Sequence, residues 1–288
     1  MEQNISRAAE KMHLSQSAMS GALARLREYF EDDLLVQVGR RHERTPRAEA
    51  LMEPVRDLLA QAEATVTTHS VFDAQRSQRL FRLLCSDYVT SILMPTFLEL
   101  VWQQSKTIRF DLLPVISDPE ALLARREVDL LMIPSAFMSQ EHPHEELFRD
   151  GYSCIVWAGN SRIGEAIALN EFLSAGHAAL QFGAERTPGF EGWFLKTSGL
   201  TRRIEVTTSS MLGLANLVIG TERIATVQTR LARAAAAVLP LRLLPPPLAI
   251  PEFIEVTQWH KVRAQDAGLI WLRGLLREAA GRLNQHAG

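Results

Sequence analysis

At 288 residues the chain is long enough for two or three compact units, and its 47% hydrophobic and 22% charged residues match an ordinary globular protein. No uninterrupted apolar run reaches the roughly 18 to 20 residues that cross a bilayer, and the N-terminus lacks the basic-then-apolar layout of a signal peptide, so the expected setting is cytoplasmic with no membrane partner. The formal net charge of −2 excludes a broadly basic nucleic-acid binder, so any DNA contact must rest on local placement of charge.

Residues 8–26 read as a short helix, a tight turn and a second helix. Ser15 is placed to N-cap the second helix, and Met19, Leu23 and Leu26 recur at i, i+4 and i+7 as a buried stripe. The opposite face, Gln16, Ser17, Ser20, Gly21 and Ala24, is small and polar. It lets the helix backbone sit deep in a major groove, with Gln16 and Ser20 hydrogen-bonding base edges. Taken alone, the same residues also fit an ordinary amphipathic hairpin. Over residues 1–47, eight basic side chains stand against seven acidic ones, and the basic groups gather at the end of the second helix and around 40–47. Arg25, Arg27, Arg40 and Arg41 are the candidate phosphate contacts, enough for a dimer to hold DNA despite weak overall charge.

Residues 33–38 read as a strand, 39–41 as a turn and 42–45 as a return strand closed by Pro46, which together form a two-stranded wing. From 47 to 68 the only break is Pro54, and Leu51, Val55, Leu58, Ala62 and Val66 recur at spacings of four, three, four and four. That seam suits a long helix pairing with its own copy, or one packed on its own domain. Pro54 weighs against an uninterrupted helix, because an internal proline costs about 3 kcal/mol or forces a kink.

Residues 70–78 form a polar linker. From 79 the texture alternates, with strands expected at 80–85, 107–113 and 128–133 and helices at 88–102 and 119–126. A second series has strands at 152–157, 178–182, 203–207 and 224–227 and a helix at 209–219. A proline-rich run at 241–247, a strand at 253–260 and an amphipathic helix at 267–283 follow. Alternation of this kind predicts parallel pairing and an α/β layered fold.

No phosphate-binding loop, dinucleotide glycine motif, nucleophile elbow or paired-cysteine metal signature occurs, so no catalytic residue and no cofactor is expected. His142-Pro143-His144-Glu145-Glu146 offers metal ligands, but the proline breaks helical spacing and no further His/Cys pair stands near. The stretch therefore reads as a polar loop without a metal. Cys85 and Cys154 lie in apolar, strand-like runs where a free thiol packs as a small hydrophobe, with a disulfide or redox switch as the alternative. Ser86 and Asp87, between a strand and a helix, form either an anion or hydroxyl site or a simple N-cap. Trp259-His260 either lines a cleft or packs.

Arg7-Ala8-Ala9, Leu14-Ser15-Gln16-Ser17-Ala18-Met19-Ser20, Arg25-Leu26, Leu34-Leu35-Val36, Gly39-Arg40 and Thr45-Pro46 together resemble the LysR-type transcriptional regulator family. Downstream, Ser86-Asp87-Tyr88, Glu127-Val128-Asp129-Leu130, Ile224-Ala225-Thr226-Val227, Trp259-His260 and Trp271-Leu272-Arg273 are similar to its branch of nodulation regulators and aromatic-acid-responsive catabolic regulators. The resemblance implies an α/β protein: a winged helix-turn-helix at 1–46, a linker and dimerisation helix at 47–69, and a two-lobed effector domain like a periplasmic binding protein. Lobe 1 takes 79–150 with 253–288, and lobe 2 takes 151–252.

The implied function is a ligand-responsive, sequence-specific DNA-binding transcriptional regulator. Its small-molecule effector, an aromatic acid in the first instance, binds between the lobes near Ser86, Asp87, Ser135, Phe182, Thr226 and His260. Implied partners are double-stranded DNA, further copies of the chain as a homodimer or homotetramer, the effector, and RNA polymerase. Two departures stand out. Family members carry a helix before the position of Gln3-Asn4-Ile5, for which an upstream start codon is the expected explanation and a damaged DNA-binding domain the alternative. Ser17 and Arg47-Ala48 stand where the family usually has proline and an Ala-Gly pair. The rival function is a small-molecule-binding α/β protein that no longer binds DNA.

Overall fold

The computed structural model describes residues 14–38, 41–67, 72–115, 118–183 and 185–285, together with Ala9 and Met12. The chain divides into two compact units, Met1–Thr68 and His69–Gly288.

In the first unit, helix α1 (Gln16–Phe30) starts where Ser15 accepts a hydrogen bond from the Ala18 N–H at 3.2 Å, which satisfies one of the free donors of the first turn. The helix stops at Glu31, in the left-handed region at φ 50°. Beyond it, Asp32 accepts from the Leu34 N–H at 2.7 Å and from the Thr45 hydroxyl at 2.6 Å, and these bonds hold its carboxyl below the usual range. They join the start of the wing to its end. The wing itself is β1 (Leu35–Val38) paired antiparallel with β2 (Arg41–Arg44).

Helix α2 (Pro46–Thr67) follows at once. Thr45 caps it through the Ala48 N–H, and Pro46 takes the first position, where no donor is needed. The helix runs through Pro54.

The stripe of Met19, Leu23 and Leu26 is less buried than its spacing suggests. Leu26 is 47% exposed, and none of the residues of α1 is fully buried. A unit this small buries a low fraction of its surface, so an amphipathic stripe is only partly covered. On α2, Val55 and Leu58 are 46% and 63% exposed, so the seam faces away from the rest of its own unit.

The second unit has two mixed sheets. One contains β3 (Leu80–Leu84), β4 (Arg109–Leu113), β5 (Leu130–Pro134), β6 (His144–Asp150) and the late strand β13 (Phe253–Gln258), in the order β4-β3-β5-β13-β6. The other contains β7 (Tyr152–Trp157), β8 (Gly176–Phe182), β10 (Arg203–Thr208), β11 (Ile224–Gln228) and β12 (Leu241–Leu244), in the order β10-β8-β11-β7-β12, with β9 (Thr187–Pro188) beside β8. The chain crosses between the sheets at Gly151 and returns before Phe253.

Around the sheets lie α3 (Asp87–Ile92), α4 (Met94–Gln104), α5 (Pro119–Ala124), α6 (Leu169–Ser174), α7 (Phe190–Thr197), α8 (Leu214–Val218), α9 (Thr229–Ala236) and α10 (Ala267–Gln285). The main core, with Phe81, Tyr88, Phe97 and Phe253 among its largest members, includes residues of both sheets. None of the helices described is long and apolar enough to cross a membrane.

Several expectations need correction. The single helix expected over 88–102 is two, because Pro95 sits in the first turn of α4 and cannot donate to the turn before it. The polar stretch at 142–146 is not all loop: from His144 it enters β6, an edge strand whose exposed alternate positions explain its charge. Pairing is not uniformly parallel, since β13 runs antiparallel to both β5 and β6, and β11 antiparallel to β7. The helix expected over 209–219 shortens to α8. Cys85 and Cys154 are both free and buried, and burial pushes the Cys154 thiol up to about 12.

An ion network fixes the start of α10. Arg79 donates to Asp266 at 2.8 and 2.9 Å, and Arg263 donates to Asp129 at 2.6 Å and to Asp266 at 2.9 Å. Asp266 also caps α10 through the Leu269 N–H. A side chain at Gly268 would meet Arg79 at 2.6 Å, so only glycine leaves the guanidinium its place. Burial alone would raise the Asp266 carboxyl, but the two arginines outweigh it and hold it at about 2, against an ordinary 3.8. The stabilisation is therefore complete above the ordinary carboxylate range and is lost as pH falls through about 2. Asp266→Asn is expected to lower stability by about 2 kcal/mol at pH 7 and to flatten the acid limb of the stability profile, as read by urea unfolding at a series of pH values.

Candidate effector cavity and DNA-reading helix

Where the two sheets face one another they enclose a cavity of about 330 Å³. This lies within the size range of small-molecule sites, roughly 300–1,000 Å³. The first sheet and its loops supply Ser86, Met132, Phe137, Phe253 and Glu255, and the second supplies Tyr152, Leu180, Phe182, Thr226 and Gln228. The walls are largely apolar, with several aromatic rings among them. Tyr152 and Phe190 stack with centroids 6.1 Å apart and planes 7° apart, and Phe253 lies 5.7 Å from Tyr152.

Three of the expected effector residues, Ser86, Phe182 and Thr226, line this one cavity. The Ser86 hydroxyl already accepts from the Val89 N–H at 3.2 Å, so it caps α3 as well. Asp87, Ser135 and His260 are absent from the wall. The Asp87 carboxylate turns instead to the second sheet's side, accepting from the Ser210 hydroxyl at 2.9 Å and from the Leu212 N–H at 3.2 Å. Ser135 opens a short helical turn whose Phe137 reaches the cavity in its place. His260 stacks on His142 at 4.8 Å, and its Nδ1 accepts from the Val262 N–H, so it packs and caps. Trp259 is buried under the Arg273 guanidinium, which lies 3.8 Å from its ring centroid.

Sequence reading missed the buried acids of the wall. Glu191 is buried and accepts two bonds from Arg202, at 2.5 and 2.8 Å, yet burial still raises its carboxyl. Glu255 is 3% exposed, and burial pushes its carboxyl up to about 8. A visible signal existed for both: a lone acid inside an apolar strand, Phe253-Ile254-Glu255-Val256, and one among aromatics, Phe190-Glu191-Gly192-Trp193. Beside the cavity, Tyr88 donates to Asp150 at 2.6 Å, and burial is the main cause that keeps this phenol protonated far above its usual range.

On α1, Gln16, Ser17, Ser20, Ala24 and Arg25 are exposed and Gly21 is half-buried. A side chain at Gly21 would meet nothing nearer than the far end of Arg25 at 4.0 Å, so nothing described inside the unit demands glycine there. Arg27 is engaged within its own unit. Its guanidinium donates to the backbone oxygens of Asp33 and Leu35, at 2.7 and 2.8 Å, which bolts the helix to the wing. Arg40 lies outside the described residues, and for Arg41 only the backbone, in β2, is described.

A capped helix leading into a two-stranded wing, in a chain whose other unit carries a ligand-sized cavity between two sheets, fits a DNA-binding regulator with an effector domain. Residues 1–49 match the bacterial regulatory helix-turn-helix proteins of the lysR family, and residues 74–281 match the LysR substrate binding domain. The chain belongs to the LysR family of transcriptional regulators.

Among curated relatives, it is 38% identical over 280 residues to Nodulation protein D 1 of Bradyrhizobium diazoefficiens, covering 97% of this chain and 89% of that one. It is 40% identical over 279 residues to Nodulation protein D 2 of Rhizobium tropici, covering 97% and 88%. Among solved structures, a probable transcriptional regulator of Pseudomonas aeruginosa aligns with a TM-score of 0.68 at 26% identity, over 96% of this chain and 92% of that one. A full-length OxyR variant of the same organism aligns with a TM-score of 0.71 at 15% identity, over 96% and 89%, a likeness of fold.

The Asp87 bridge ties the two sides of the cavity together. Asp87→Ala is expected to raise amide hydrogen exchange in residues 210–213 by about tenfold or more while leaving β11 unchanged, as read by exchange mass spectrometry.

Proposed function

We propose that the chain reads double-stranded DNA through Gln16, Ser17, Ser20, Gly21 and Arg25, pairs with further copies through α2, and takes its effector in the cavity between the sheets. The observation that carries this reading is a single cavity walled by both sheets, with Ser86 and Phe253 on one side and Thr226 and Tyr152 on the other. A ligand that touches both sides prefers one arrangement of them, and only such differential affinity shifts an equilibrium.

In this reading residues 1–46 are the DNA reader, 47–69 the dimerisation helix, 79–150 with 253–288 one lobe and 151–252 the other. The assembly is a homodimer or homotetramer acting on cytoplasmic DNA, with RNA polymerase as its downstream partner. The exposed Val55 and Leu58 support pairing through α2, because an apolar seam at heptad spacing is stable when a second helix covers it.

Two measurements test the proposal. On a DNA fragment selected in vitro by the full-length protein, Gln16→Ala and Arg25→Ala are each expected to weaken binding about 5- to 100-fold, with Arg25→Ala also reducing the salt dependence. Unchanged affinity and unchanged selectivity in both variants would remove α1 as the reader. Leu58→Glu is expected to shift the protein to smaller species in sedimentation, and an unchanged profile would remove α2 as the pairing helix.

A further inference from the structure

Nearly every charged group buried in the second unit has a partner. Glu191 has Arg202, Asp129 and Asp266 share Arg79 and Arg263, and Asp150 accepts from Tyr88, Gly151 and Arg230. Glu255 differs. It is more than nine-tenths buried and it lines the cavity. It makes no side-chain hydrogen bond or ion pair with any described residue, and burial alone accounts for its raised carboxyl. Leaving a buried carboxyl unpaired costs stability, and a protein keeps such a group where it meets something else. Its placement is specific too: the pairing of β13 with β6 slips between Glu255 and Val256, and bulges of this kind re-aim side chains.

The other carboxyl groups on the wall are already engaged. Arg202 holds Glu191, Asp118 caps α5 through the Ala121 N–H, and Glu120 accepts from the Ser139 hydroxyl. No lysine, arginine or histidine stands among the described residues that line the cavity. A ligand carboxylate therefore meets no cation on the wall, and once Glu255 is ionised, above about 8, it also meets a second negative charge, which two carboxyl groups sharing a site do not both carry readily. A hydroxyl or an ammonium group finds the opposite situation: a free acceptor at one end and aromatic faces, Tyr152, Phe190 and Phe253, along the sides.

We propose that Glu255 is the polar anchor of this cavity and selects flat aromatic ligands that present a hydrogen-bond donor, either a hydroxyl or an ammonium group, while rejecting aromatic carboxylates. The proposal rests on the reading of the cavity as the effector site, and it replaces the aromatic acid expected from the family resemblance.

The test uses the full-length protein at pH 8.5, where Glu255, pushed up to about 8, is largely ionised, and three probes that share one ring system: 2-naphthol, 2-naphthylmethylamine and 2-naphthoate. Binding is measured by calorimetry and by the rise in melting temperature. The expected order is amine and naphthol bound, naphthoate at least about tenfold weaker than both, an energy gap that one unfavourable charge contact supplies. In Glu255→Gln the amine is expected to lose about tenfold and the naphthoate to gain by a similar factor, while the naphthol, which an amide oxygen also accepts, changes little. The unliganded variant should melt no lower than the native chain, because an unpaired buried carboxyl has been removed. Naphthoate binding to the native chain as tightly as the other two, or a variant that keeps the native order, overturns the role of Glu255 and leaves the cavity as the effector site. Binding of none of the three to the native chain overturns the cavity reading together with the proposal.

Discussion

Asp150 sits at the point where the chain leaves the first sheet and enters the second, and its carboxylate gathers the groups that hold the two together. One oxygen accepts the Tyr88 hydroxyl at 2.6 Å and the Arg230 N–H at 3.1 Å, and the other accepts the Gly151 N–H at 2.9 Å. Tyr88 belongs to α3 on the first sheet and Arg230 to α9 on the second, so one buried carboxylate fixes the helices of both sides against a single crossing strand. Burial raises this carboxyl, and the three donors compensate only in part. Arg230 extends the tie by donating to the backbone oxygen of Leu283 at the far end of α10. The cavity depends on this arrangement, because the tie sets the distance between the walls that Tyr88 and Tyr152 supply.

A second tie, Asp87 to Ser210 and Leu212, crosses between the same two sides, and the cavity has residues of both ties' neighbourhoods on its wall: Ser86 and Tyr88 from one, Met211 and Leu214 from the other. The sides also meet through apolar contact, since the main core takes residues from both sheets and Phe253 packs on Tyr152 and Phe190. Each polar bond has a small net stability, about 0.5–1.5 kcal/mol, while apolar burial adds up over many side chains. Ligand contacts shared by both sides can then decide which arrangement prevails.

Much of this was legible in the sequence because the governing forces were local. Residues 152–157 read as a strand at both ends, since Tyr-Ser-Cys-Ile-Val-Trp combines β-branched and aromatic residues with near-continuous burial. Ser15 announced the start of α1 because a cap is a contact three residues long. What the sequence did not show was set by distant partners. Asp87 read as a local cap or anion site, but Ser210 and Leu212, more than a hundred residues away, claim it. Arg27 was a candidate phosphate contact because basic groups gather at the end of this helix, and the start of the wing supplies the backbone oxygens that hold its guanidinium. The stretch after Pro143 looked like loop because an edge strand shows the same exposed charges as a loop. His260 looked available for a ligand until His142 arrived from another part of the chain to stack on it.

Glu255 shows the same limit from the opposite side. A lone acid in an apolar strand is visible in the sequence, but its meaning depends on what the fold brings to it, and the fold brings no partner among the described residues. Around it, Glu191, Asp150, Asp129 and Asp266 each sit in a bed of donors assembled from several elements, which shows that this chain readily places arginines and amides where buried acids need them. The absence of such a bed at Glu255 is thus a local departure from a general rule of the molecule. A native core tolerates an unsatisfied group of this kind chiefly where function draws on it. The group lies on the cavity wall, on the strand that pairs with both β5 and β6 and two residues along from Phe253, so any ligand that satisfies it also enters the space between the two sheets. On the proposed reading, a ligand that meets Glu255 is seated where both sides touch it, so recognition and any preference for one arrangement rest on the same contact.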